Sequence, residues 1–161
     1  MGTRVTSKIE GLVLNIRKAE IKDVKEISRL VTSLSKFYQE DKNQPPPAWF
    51  LKTLKISEFE SRVTRKDFVT YLYIEDEDVV GYIAMQTNGH LYHLFVKEEH
   101  QGKGISRTLW ELITSKINSQ EYSVNSSIHA IPVYAKFGFI KTEPVAEKDG
   151  VKYQPMKLFR K

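Results

Sequence analysis

Residues 100–106 read HQGKGIS, two glycines bracketing a lysine, between the apolar run LYHLFV (91–96) and RTLWELITSKI (107–117). The first run is aromatic and aliphatic and predicts a strand. From Gly104 to about Ile117, Ile105, Leu109, Leu112 and Ile113 recur at helical spacing and predict a helix. A strand feeding a helix through a glycine turn leaves the first helical N–H groups unpaired, and the helix dipole adds partial positive charge there. Lys103 and Arg107 add full charges, so the turn is suited to hold phosphate. It differs from the nucleotide-binding P-loop, because Gly104 and Ile105 follow Lys103 where that pattern has Lys-Ser/Thr. It also lacks the third glycine of the dinucleotide fingerprint, since position 107 is arginine.

Working outward, LVLNIRKA predicts a first strand after a polar start. Ile21, Val24, Ile27, Leu30, Val31, Leu34 and Phe37 then mark one face of a helix running to about Tyr38. QEDKNQPPPAW breaks the periodicity, because consecutive prolines lack backbone donors and favour an extended path. ISEFESRVTRKD predicts a short helix. FVTYLYIEDEDVVGYIAMQTN predicts two strands joined at an acidic turn, where Glu75, Asp76, Glu77 and Asp78 sit on a tight hairpin tip and point apart rather than converge on a metal. A strand around YSVN, a helix from about Ile128 to Phe137, and two closing strands, FIKTEPVAE and VKYQPMKLF, complete the chain. This order predicts an α/β (α+β) fold, a mixed sheet of about six to seven strands with helices on both faces, in a single domain over residues 1–161.

Composition narrows the function classes. The 161 residues are 40% hydrophobic and 28% charged, an ordinary globular balance. The net charge of +5 comes from lysines and arginines scattered among acids, a solvated surface rather than a nucleic-acid-binding run. Absence of cysteine removes disulfides, thiolate metal sites and any cysteinyl intermediate. With no long apolar run, and no signal-peptide core in MGTRVTSKIE, the expectation is a cytoplasmic protein without a membrane partner.

The stretch VNSSIHAIPVYAKFGF (124–139) makes the glycine turn specific. With it, the chain resembles the GCN5-related N-acetyltransferase superfamily, whose signature is Gln/Arg-x-x-Gly-x-Gly/Ala after the fourth strand. Gln101, Gly104 and Ser106 occupy those positions, with serine as the final small residue. The family's later segment, an asparagine near the end of the fifth strand and then Tyr-x-Lys-x-Gly-Phe, is matched by Asn125 and by Tyr134, Lys136, Gly138 and Phe139. The resemblance covers nearly the whole chain in element order.

What the resemblance implies is acetyl-CoA as acetyl donor, bound where the fourth and fifth strands splay apart. The backbone of Leu94, Phe95 and Val96 would pair with the pantetheine arm, as an added peptide strand does. The pyrophosphate would rest on Gln101, Gly102, Lys103, Gly104, Ile105, Ser106 and Arg107, with Asn125, Tyr134 and Lys136 completing the cofactor site. Tyr134 matches the family's usual general acid. The carboxylate that some members carry on the fourth strand falls, counted from Gln101, at His90. Without a bulge His90, Tyr92 and Leu94 share one strand face and His93 the other. His93, Glu75, another carboxylate or a water chain are the remaining routes for the proton, with His129 behind them. Tyr38, Trp49 and Phe50 are expected to select the acceptor, a small-molecule amine or a protein amino group. The expected activity is direct acetyl transfer in a ternary complex by a monomer or homodimer. A non-catalytic acyl-CoA sensor or interaction module is the alternative, and a nucleic-acid-binding protein ranks behind both.

Overall fold

The computed structural model describes residues 5–9, 12–39 and 41–160, with side chains from Asn15 onward apart from residue 40. Strands β1 (Val5–Ile9), β2 (Leu12–Lys18), β3 (Phe68–Glu75), β4 (Asp78–Gln86), β5 (His90–Val96), β6 (Glu121–Ser126), β7 (Ile140–Lys141), β8 (Ala146–Lys148) and β9 (Val151–Phe159) form one sheet. Its order is β1-β2-β3-β4-β5-β6-β9-β7, with β8 pairing β9. All neighbours are antiparallel except β5 and β6.

Nine strands replace the expected six to seven for two reasons. Residues of the polar start pair with β2 as β1. The stretch FIKTEPVAE is two short strands, because Pro144 between them has no N–H to donate to a ladder. The strands expected fourth and fifth are β5 and β6.

Helices α1 (Val24–Leu34), α2 (Ala48–Thr53), α3 (Ile56–Thr64), α4 (Ile105–Lys116) and α5 (Ile131–Phe137) cover the two faces of the sheet. On one face α1 and α3 bury Ile27, Val31 and Phe59 against Leu72 and Tyr82. On the other, α4 buries Leu109 and Ile113 against Ile83 and Met85. Each such aliphatic side chain contributes about 1.5–3 kcal/mol. Gly81 sets the approach of α4, since a Cβ there would stand 3.0 Å from Ile105 and 3.1 Å from Leu109. The apolar face of α1 begins at Val24, because Ile21 lies in a preceding 3-10 turn and is exposed. Asp23 anchors that end with two 2.8 Å hydrogen bonds from Arg17 and one from the Glu20 N–H.

α2 was not foreseen by periodicity. It starts directly after Pro47, which holds the extended backbone of the N-cap. The acidic hairpin is as expected, a two-residue turn of Asp76 and Glu77 with φ of 48° and 69°. Among the described residues no helix is long and apolar enough to cross a membrane.

Candidate active site

β5 and β6 pair at only two positions, His90↔Ser123 and Leu91↔Val124. Beyond Leu91 they part, so Leu94, Phe95 and Val96 keep their β4 neighbours and have no ladder partner on the β6 side. A cavity of about 230 Å³ fills the gap, room for part of one small molecule rather than for a folded partner. Leu94, Phe95 and Val96 form one wall, and Ser127, Ala130 and Tyr134, which follow β6, form the other.

The turn quoted at the outset closes the end of this cavity. Gly102 and Gly104 have φ of 80° and 84°, and a Cβ on either would meet nothing within 4 Å, so the backbone there stands open. Gly104 is the N-cap of α4, and its carbonyl takes the first helical hydrogen bond from Thr108 at 3.0 Å. The N–H groups of Ile105, Ser106 and Arg107 therefore precede the helical ladder. The Gln101 side chain donates to the Val96 carbonyl at 2.9 Å and ties the turn to the end of β5. An open strand edge ending on unpaired N–H groups fits a long amide-bearing molecule with an anionic end.

The motif Tyr-x-Lys-x-Gly-Phe now has a physical reading. Pro132 begins α5, Gly138 ends it at φ 108°, and Phe137 and Phe139 pack on Trp110 of α4. Tyr134, 5% exposed, sits edge-on to both rings and reaches the cavity. Burial, with a smaller contribution from Tyr38, raises its phenol far above the ordinary value, so it stays protonated.

A second cavity of about 230 Å³ lies beside the first. Tyr38 and Phe95 border both. Trp49 and Phe50 come to it from α2, Val151 and Tyr153 from β9, and His90, His93 and Asn125 from the paired strands. The Trp49 indole N–H donates to Asp149 at 2.9 Å, which fastens α2 to the β8–β9 turn. Burial, then the neighbouring Tyr92, pushes Tyr38 up to about 12.

The histidines are arranged by a bulge. Ala84 pairs with His93 and Met85 with Leu91, so Tyr92 is the extra residue of β5. The face-sharing expected for an unbulged strand is therefore wrong: Tyr92 packs on Phe68 and His93 on Phe59, both beneath α3, whereas Leu94 packs on the α4 side. His90 Nδ1 lies 2.8 Å from Ser123 Oγ, and His93 Nδ1 lies 3.2 Å from the Tyr82 hydroxyl. Burial lowers the pKa of both rings, and Arg62 adds to the shift for His93. Both are neutral at pH 7.

Of the predicted residues, Leu94, Phe95, Val96, Gln101, Gly102, Ile105, Ser106 and Tyr134 meet around the first cavity, and Tyr38, Trp49, Phe50, His90 and Asn125 around the second. Asn125 thus faces the second cavity instead of the expected first. Lys103, Gly104, Arg107 and Lys136 are exposed at the rim, where Arg107 donates to the Lys136 carbonyl at 3.0 Å and bridges α4 to α5. Glu75 belongs to neither lining but stands 4.0 Å from His100, which lines the first cavity. His100 and Phe37 line the first cavity and were missed as site residues, while His129, weighed only as the last of the proton routes, stacks on Phe37 and lines it too. Only the adjacency of His100 to Gln101 could have signalled it.

Solved N-acetyltransferases share this fold. A GCN5-related N-acetyltransferase from Rhodopseudomonas palustris superposes with a TM-score of 0.72 at 16% identity, over 96% of this chain and 98% of that one. The PaiA N-acetyltransferase of Thermoplasma acidophilum, solved with coenzyme A, gives 0.68 at 20% identity over 91% and 98%. A chimera of the Vibrio cholerae spermidine N-acetyltransferase SpeG with hSSAT gives 0.63 at 16% identity over 91% and 95%. No curated protein sequence matches the chain. The sequence model of the acetyltransferase (GNAT) domain matches residues 34–159, and the chain belongs to that family. Its acetyl donor is acetyl-CoA.

Proposed function

We propose that residues 1–161 form one N-acetyltransferase domain that moves an acetyl group from acetyl-CoA directly to an amine held in the second cavity. The observation that carries this is the meeting of the two cavities at Tyr38 and Phe95, which lets a donor in one and an acceptor in the other touch without a covalent enzyme intermediate. Acetyl-CoA supplies an activated acyl carbon and a thiolate leaving group. In balance, the amine nitrogen bonds to the acetyl carbon, the carbon–sulfur bond breaks, one proton leaves nitrogen and one reaches sulfur.

Leu94, Phe95 and Val96 offer main-chain groups to the pantetheine arm, and a free N–H on this strand polarises the acyl carbonyl. Residues Gln101 to Arg107 hold the pyrophosphate, with Lys103, Arg107 and Lys136 placing charge at the rim. Tyr134 is the proton donor to sulfur. The leaving thiolate, whose thiol ordinarily titrates near 8.5, is a weaker base than a phenolate. The burial that raises Tyr134 raises a thiol beside it too, which narrows the gap.

His90 is the proton acceptor, directly or through one water, because Ser123 can accept a hydrogen bond from Nδ1–H and leave a lone pair on Nε2. His93 is disposed otherwise. Arg62 lies beside Tyr82, so the phenol turns its oxygen to the guanidinium and its proton to His93 Nδ1, leaving the single proton of the neutral ring on Nε2. His93 then donates rather than accepts.

Calorimetric titration with acetyl-CoA, followed by thiol-release assays with amines, tests the reading. Binding with amine-dependent thiol release and acetamide formation is expected. Binding without transfer to any amine would instead fit a sensor.

A further inference from the structure

The second cavity is ringed by aromatic side chains, among them Tyr38, Trp49, Phe50 and Tyr153, and among the described residues its lining holds no Asp or Glu. Behind the wall stands Arg62, 5% exposed. It donates to the Thr53 carbonyl at 3.1 Å, and its Nε has no hydrogen-bond partner. Among the described residues no carboxylate lies within 4 Å of it to neutralise the guanidinium. The cavity therefore backs onto a buried, unbalanced positive charge.

Aromatic boxes can also hold cations by their ring faces. Here such faces already carry cations: Lys148 Nζ is 4.5 Å from the Trp49 ring centre and Arg62 is 5.0 Å from that of Tyr92. A carboxylate touches the rim, but Asp149 is exposed and bonded to the Trp49 indole N–H. A second ammonium on the acceptor would lose its water here and gain no counter-charge, which is costly. A ring or alkyl body would instead displace water from apolar walls, with edge or offset contacts to Trp49 and Phe50.

We propose that the acceptor is a small amine carried on an aromatic or otherwise apolar body, with no second positive charge, and that polyamines and aminosugars are rejected. This rests on the second cavity being the acceptor site of an N-acetyltransferase. His90 and Asn125 meet the single amino group, and the aromatic wall, free of carboxylates among the described residues, selects the rest of the molecule.

The test is kcat/KM with saturating acetyl-CoA for 2-phenylethylamine, tryptamine, spermidine, kanamycin and a lysine-containing peptide. The aromatic monoamines should exceed each of the others by about tenfold or more. Trp49→Ala should lower kcat/KM for the aromatic amines by about tenfold, mainly through KM. Thr53→Glu, which puts a carboxylate in the lining, should raise kcat/KM for spermidine. Thermal melts establish that both variants are folded. Equal or faster turnover of spermidine, kanamycin or the peptide overturns the acceptor class and leaves N-acetyl transfer standing. No transfer to any amine, with calorimetric binding of acetyl-CoA intact, overturns the transferase reading and this inference with it.

Discussion

The Tyr82 hydroxyl lies 3.2 Å from Nδ1 of His93, on the face of the sheet where Arg62 is buried. The contact separates two histidines that the sequence alone left as rival bases. His90 instead meets the neutral hydroxyl of Ser123, which can accept a hydrogen bond from its Nδ1–H.

Replacing His90 with Gln should therefore lower kcat by about 10²-fold or more, within the range of general-base contributions. Because burial lowers the His90 pKa, the acid limb of kcat in the intact enzyme should have its midpoint below 6.5 and be lost in the variant. His93→Gln keeps an amide donor and should cost less than about tenfold, with the limb retained. A pH profile of each variant checks the assignment; a limb that vanishes in His93→Gln and persists in His90→Gln would reverse the roles.

Tyr134→Phe removes one hydroxyl from a ring held between Phe137 and Phe139 and leaves the packing in place. Turnover should fall about 10²-fold while the Kd for acetyl-CoA changes little. Steady-state rates with calorimetry make the comparison, and unchanged turnover removes Tyr134 from proton donation.

At Gly104 a side chain would meet open space, so the substitution acts through backbone and charge rather than collision. Gly104→Glu puts an L-residue at φ 84°, a strain of about 1–2 kcal/mol, and sets a carboxylate beside N–H groups meant for an anion. Acetyl-CoA affinity should fall by more than about tenfold with the fold kept, as read by calorimetry and a melting curve. Gly104→Ala carries the strain without the charge and should bind better than the glutamate variant.

The legible parts of this chain were those where local chemistry and fold agree. The glycine turn, the α1 stripe and the Tyr-x-Lys-x-Gly-Phe helix each follow from spacing, capping and burial within a few residues, and the structure places them accordingly. What failed depends on pairing. The bulge at Tyr92 is set by how β4 and β5 register, and no residue in LYHLFV announces it. β1 exists because β2 offers it an edge, although Thr6, Ser7 and Lys8 at its centre are polar. Arg62, in the second turn of α3, looks solvated in sequence and is buried because it stacks on Phe59 of its own helix and on Tyr92 of β5. Its bearing on the acceptor could be read only from the packed face.

Acid stability should report the Arg17–Asp23 pair, where both oxygens of a carboxylate 7% exposed are bonded to one guanidinium at 2.8 Å. Burial alone would raise the Asp23 pKa, but the Arg17 hydrogen bonds and the Glu20 N–H outweigh it and hold the carboxyl below its ordinary value. A depressed folded pKa means the unfolded chain takes up the proton first. The pair's contribution is therefore complete above the unfolded pKa of about 3.9 and is lost as pH falls through the folded one. Asp23→Asn strands Arg17, weakens the capping bond from the Glu20 N–H at the 3-10 turn before α1, and should cost about 3 kcal/mol at pH 7. Denaturant titrations from pH 7 to pH 3 should show the gap between the two proteins narrowing only below about pH 4. A gap that closes between pH 7 and pH 5 would mean that the carboxylate is not held by Arg17.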